Sequence, residues 1–336
     1  MPACITVEES FGISLSRLHN PTPSLPYTAH QQSLFSQAIF DSLLHSELLV
    51  TDLPAATRFD RSLLALPADR TVLNFGQKLG HLFEDALAAT VDASDGLRLI
   101  GRSVQFPGSD GQTLGELDFL ILDQLREQPI HLELAIKFYL AHQDTEGVMR
   151  FPGPDARDNW PRKLKRLTEH QLRLSDDPAI RHLLSERFGV GDVEVAHLIY
   201  GCLFDHIDAQ PTTCAPAIST NCRRGKWLRA SEISALRNAT DEVTILPKPL
   251  WPAPISDTLR AELPSCPVSE LLHATKHHCV MFATPDTPLP MFLVPDTWPA
   301  AECEFSGCQG RALLSPNVRL GWEARLLDRL ARSRSR

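Results

Sequence analysis

The stretch 115–140, GELDFLILDQLREQPIHLELAIKFYL, constrains the fold more than any other part of this chain. It reads as two β-strands joined by a short polar turn. Side chains of a strand alternate between two faces. On the second strand Leu132, Leu134, Ile136, Phe138 and Leu140 share one face, and His131, Glu133, Ala135, Lys137 and Tyr139 share the other. On the first strand Leu117, Phe119 and Ile121 are expected on one face, with Glu116 and Asp118 opposite. The ribbon therefore sets three acids and a lysine on one side and apolar residues on the other. A half-buried hairpin normally turns polar residues to water, so alternation alone is a structural signal. The combination of residue types is what points to chemistry.

The segments around the ribbon supply the other layers. Helical periodicity predicts helices over 31–50 and 74–90, the second with a buried stripe of Leu79, Leu82, Phe83, Ala86 and Leu87. Gly76, Gly80 and Glu84 form another line on that helix, and two glycines there suggest a close backbone approach. A strand over 97–106 leads into the ribbon. After it come a basic amphipathic helix over 160–174, a short helix over 179–188 and an apolar strand over 193–204. The order helix, three strands, helix, strand implies an α/β protein with a mixed central sheet flanked by helices. Residues 1–70 read as a helical N-terminal extension, 71–210 as the core and 211–336 as a region packed on it. In that last region Arg223, Arg224, Gly225, Lys226 and Trp227 read as a basic loop. Helices are expected over 230–237, 268–275 and 322–331, and extended segments over 279–283 and 291–294. Trp227 and Trp298 read as packing residues rather than base-stacking platforms.

Composition narrows the class. The formal net charge of -8 gives no global basic field. Locally, seven basic residues stand against three acids between Arg150 and Arg173, enough for a patch that holds a phosphate backbone. The N-terminus lacks the basic stretch and apolar run of a signal peptide, and the greasiest run, 193–204, is too short to span a bilayer. A cytoplasmic protein without a membrane partner is expected. The eight cysteines form no CxxC pair, so reduced thiols are expected rather than a zinc site. No motif for an organic cofactor is present, and nothing in the sequence fixes an oligomeric state.

Phosphodiester hydrolysis needs a divalent cation to neutralise the non-bridging oxygens, carboxylates to hold it, and a group that positions water. Magnesium takes oxygen ligands and keeps several waters, so two or three carboxylates suffice. Asp118, Glu133 and Lys137, with Glu116 or Glu84 nearby, are the right residue types. The pieces LGHLFEDAL, GELDFLILD, HLELAIKFYL, PGPDARDNWPRKLKRLTEHQLRLS and VPDTWP resemble the bacterial domain of unknown function 1853 family. Through it the chain resembles the PD-(D/E)xK nuclease superfamily, whose restriction-endonuclease-like core has the element order read above.

The resemblance implies a metal-dependent nuclease acting on DNA or RNA with magnesium or manganese. It makes Asp118 the motif aspartate and a metal ligand, Lys137 the motif lysine that works on the attacking water, Glu84 the acid of the first helix and a further metal ligand, and Gln171 a catalytic glutamine near the lysine. Glu133 completes the ligand set, Glu116 is the alternative ligand, and Lys163, Lys165 and Arg166 are candidates for holding nucleic acid. In the superfamily the second acid stands two residues before the lysine, where this chain has Ala135. Glu133, four before, lies on the same face but about 13 Å along the strand rather than about 7 Å. That departure favours the alternative, an inactive nuclease-fold module that binds nucleic acid or protein.

Overall fold

The structure, a computed structural model, describes residues 27–67, 71–107, 113–213, 215–275 and 278–299. Helix α1 (Ala29–His45) starts at a capping box in which Thr28 and Gln31 satisfy each other's backbone N–H groups. The short strand β1 (Thr57–Arg58) precedes helix α2 (Leu79–Asp92) and strands β2 (Leu97–Pro107), β3 (Thr113–Asp123) and β4 (Gln128–Gln143). Strand β5 (Met149–Arg150), helices α3 (Trp160–Glu169) and α4 (Pro178–Phe188) and strand β6 (Glu194–His206) follow. The remainder comprises β7 (Arg224–Arg229), α5 (Ile233–Arg237), β8 (Glu242–Ile245), α6 (Asp257–Ala261), β9 (Ser265–Pro267), α7 (Val268–Thr275), β10 (Val280–Ala283) and β11 (Met291–Val294).

One mixed sheet runs β2-β3-β4-β6-β7-β11-β10-β8-β9, with β1 beside β6 and β5 beside β4. Strand β4 is its axis. It is antiparallel to β3 and parallel to β6, in register from Ile130↔Glu194 to Ala141↔Asp205. Helices α1 and α2 bury Phe35, Leu43, Phe83 and Leu87 against Phe119, Leu132, Phe138 and Tyr200 on one face. On the other, α3 buries Trp160 and Leu167 against Tyr139, Ile199 and Leu203. Helix α4 packs Ile180 and Leu184 over Val104, Phe106, Leu117 and Leu120. This is the restriction-endonuclease-like core, with helical and α+β additions at either end.

Several expectations need correction. Leu117 does not share a face with Phe119 and Ile121; it joins the cluster under α4, while they join the α2 side. The pairing of β3 with β4 ends at Phe119↔Leu132, and from Asp118 back to Thr113 the strand is held by β2 alone. The segment 223–227 is not a loop: it holds most of β7, between β6 and β11. Arg224 pairs with Asp205 at 2.6 Å, Lys226 donates to the His206 and Ala209 carbonyls, and Arg223 Nη1 donates to the Trp251 carbonyl at 2.6 Å. Trp227 and Trp298 are both buried, as expected of packing residues.

Helix α2 begins at Leu79 rather than 74, and a Cβ on Gly80 would meet nothing within 4 Å, so no close approach explains that glycine. The basic helix stops at Glu169, and residues Gln171–Asp176 form a 3-10 turn after His170 leaves helical geometry. The expected helix over 322–331, together with Cys4, Cys214, Cys303 and Cys308, lies outside the described residues. The cysteines that are described, Cys202, Cys222, Cys266 and Cys279, are free thiols. Among the described residues no helix is long and apolar enough to cross a membrane.

Candidate active site

The site begins where β3 and β4 part. Asp118 is the first residue of β3 beyond the paired register, and its Oδ2 accepts the Leu134 N–H at 3.0 Å. A side chain thus replaces the next ladder bond. Burial and then the neighbouring Glu133 carboxylate push the Asp118 carboxyl up to about 7, and Glu84 adds to the shift. The Leu134 N–H and the Lys163 ammonium oppose it. Asp118 is therefore an acid crowded by other acids.

Glu133 follows Leu132 on β4 and is 2% exposed. A buried carboxylate needs hydrogen bonds to offset its lost hydration. Gln171 Nε2 donates to Oε2 at 2.7 Å, and His131 Nε2 lies 3.2 Å from Oε1. His131 thus bridges the acid to the 3-10 turn, its Nδ1 lying 3.3 Å from Ser175 Oγ. Gln171 Oε1 in turn accepts from Lys163 Nζ at 2.8 Å. The break at His170 is what turns Gln171 toward the sheet. His197 on β6 is the register partner of Glu133 and is fully buried, and burial holds it down to about 4, so it is neutral.

Lys137 lies four residues further along β4. Its Nζ donates to Asp158 Oδ2 at 2.7 Å, and Tyr139 Oη donates to Asp158 Oδ1 at 3.4 Å. Burial and the Asp158 charge raise the Tyr139 phenol, keeping it a donor. Asp158 belongs to the 152–160 turn, which is well fixed. Gly153 N–H donates to the Asp158 carbonyl at 2.7 Å, Leu140 N–H to the Pro152 carbonyl at 2.8 Å, and Trp298 Nε1 to the Gly153 carbonyl at 3.1 Å. Two of the quoted sequence pieces, around 152–160 and 294–299, thus meet to hold the partner of Lys137.

The other candidates divide. Glu84 on α2 accepts from Arg102 Nη2 at 3.3 Å and contacts His81 Nδ1 at 3.3 Å, while Arg102 also pairs with Asp85. Glu116 accepts from Gln105 Nε2 at 3.0 Å on the β2 side of the ribbon. Lys165 and Arg166 are exposed on α3, Lys165 at 3.8 Å from Glu169. Lys163 faces inward instead. Burial, then the neighbouring Lys137 charge, lowers its ammonium to about 8. Lys163 is thus not a surface cation like Lys165 and Arg166: Trp160, Lys163, Leu164 and Leu167 fall at i, i+3, i+4 and i+7, the spacing of one helix face. That signal was available. The placement of His197 in register with Glu133 needed the β4–β6 pairing, which no local pattern supplies.

Among the described residues no group of three or more His, Cys, Asp or Glu side chains is gathered so as to hold a metal ion. The donor chemistry is narrower: two carboxylates, Asp118 and Glu133, whose mutual repulsion a cation relieves. All-oxygen donors suit a hard cation that keeps most of its waters. Among curated proteins and solved structures nothing matches the chain. The family profile described as Domain of unknown function (DUF1853) matches residues 29–284, the whole span from α1 to β10, and the chain belongs to that family.

Proposed function

We propose that the chain is a divalent-cation-dependent phosphodiesterase acting on nucleic acid, with Asp118 and Glu133 as its paired carboxylates. One observation carries this reading: β3 leaves β4 just after Phe119↔Leu132, setting half-buried Asp118 and buried Glu133 within electrostatic reach of each other on neighbouring strands of a nuclease-like core. Magnesium or manganese fits the donors, and when bound it supplies charge neutralisation at the phosphate oxygens and acidifies water. The chain's own residues set the frame. The Leu134 N–H aims Asp118, and Gln171 with His131 fixes Glu133 in one rotamer. Lys165 and Arg166 offer exposed charge for the phosphate backbone on either side of the scissile bond.

A second reading is a nuclease-fold module that binds without cutting. Ala135 at the expected acid position and the anchoring of Lys137 on Asp158 favour it. Cleavage of labelled single- and double-stranded DNA and RNA, with magnesium or manganese, separates the two. Wild type is expected to cut, and Asp118→Ala to lose on the order of 100-fold or more in rate. Wild-type protein that binds these strands but never cuts them selects the module. Cutting that survives Asp118→Ala removes the carboxylate pair from the chemistry.

A further inference from the structure

The motif lysine and the motif acid are out of step in this chain. Glu133 and Lys137 lie four residues apart on one strand, about 13 Å. The Lys137 ammonium is also committed elsewhere, to Asp158 at 2.7 Å in a turn that Trp298 and the backbone hold in place. A different lysine approaches the acids. Lys163 extends from the inner face of α3, and its Nζ reaches Glu133 through one amide, 2.8 Å to Gln171 Oε1 and 2.7 Å from Gln171 Nε2 to Glu133 Oε2.

We propose that Lys163, rather than Lys137, is the amine that meets the substrate at the Asp118–Glu133 pair, donating hydrogen bonds to a non-bridging phosphate oxygen. This rests on the phosphodiesterase reading above. The hydrogen-bond geometry supports it. Gln171 accepts from the lysine and donates to the acid, so a single side chain fixes their spacing. The acid has moved one rung back along β4 relative to the motif, and a lysine from α3 stands where the displaced acid needs one. Lys137 becomes a positioning residue that holds the 152–160 turn through Asp158.

The test compares wild type with Lys163→Met, Lys163→Arg and Lys137→Met, each first confirmed as folded by its thermal transition. In manganese, kcat/KM for oligonucleotide cleavage is expected to fall about 100-fold in Lys163→Met, with the loss carried by kcat, and less than tenfold in Lys137→Met. Lys163→Arg restores part of the rate, because a charged donor remains. A Lys137→Met loss equal to or greater than that of Lys163→Met overturns the proposal. Binding of a hydrolysis-resistant phosphorothioate oligonucleotide, read by fluorescence anisotropy, separates this from failure of the parent reading. If wild type does not cut but binds, weaker binding by about tenfold in Lys163→Met alone sustains the assignment. Equal binding by all variants, or no binding by wild type, overturns it.

Discussion

Asp118→Asn is expected to raise the thermal midpoint at pH 8 by roughly 3–6 °C, and to leave it nearly unchanged at pH 4. The reasoning is linkage. In the unfolded chain this carboxyl loses its proton near its ordinary value of 3.8, and in the folded protein only near 7, because burial and Glu133 disfavour the charge. Between those values the folded state binds the extra proton. Stability therefore falls as pH rises from about 4 to about 7, and the full cost, about 2–4 kcal/mol, is present above that window. Asparagine carries no charge to desolvate, and its side-chain oxygen still accepts the Leu134 N–H. The variant should flatten the pH profile as well as lift it. Melting curves at half-unit steps from pH 4 to 8 check both features; a constant offset between the two proteins, or a lower midpoint for the variant at pH 8, contradicts the account.

Gly201→Ala is expected to destabilise by about 3–5 kcal/mol, the largest single effect we foresee in the core. Gly201 has φ +148°, and a Cβ there would stand 1.7 Å from the Lys137 carbonyl oxygen and 2.7 Å from its carbon. These are backbone atoms in a ladder continuous from Ile130↔Glu194 to Ala141↔Asp205, so neither strand can yield locally. The same displacement would carry Lys137 away from Asp158. Gly80→Ala serves as the control. With open space at its Cβ and a helical position, it should stabilise by about 0.5 kcal/mol. Urea unfolding of both variants tests the contrast, and a Gly201→Ala cost below about 1 kcal/mol would show that the β4–β6 ladder is softer than its register implies.

Much of this was legible in the sequence, and the limits have physical causes. Alternation along 131–140 matches the faces of β4, because its unbroken register with β6 from Ile130 to Ala141 keeps strict period two. Alternation fails at Leu117, where β3 has lost β4 as a neighbour and is held by β2 alone. The basic residues of 223–227 read as a loop because charge normally marks solvent. In β7 those charges are satisfied by Asp205 and by main-chain carbonyls, while Gly225 admits the Phe204 ring on the other face, where a Cβ would come within 2.4 Å. Glu133, Lys137 and Asp118 were visible as residue types on one ribbon. Their division between two partners, Gln171 for the acid and Asp158 for the lysine, depends on the break after α3 and on the 152–160 turn. Neither feature has a period to read.

The central claim is that Asp118 and Glu133 together hold a divalent cation. Manganese binding measures it most directly, by loss of the free Mn(II) electron paramagnetic resonance signal as protein is added at pH 7.5. The account predicts one Mn(II) per wild-type chain, with affinity weakened at least about tenfold in both Asp118→Asn and Glu133→Gln. Wild type that takes up no Mn(II), or variants that bind it as wild type does, would contradict it.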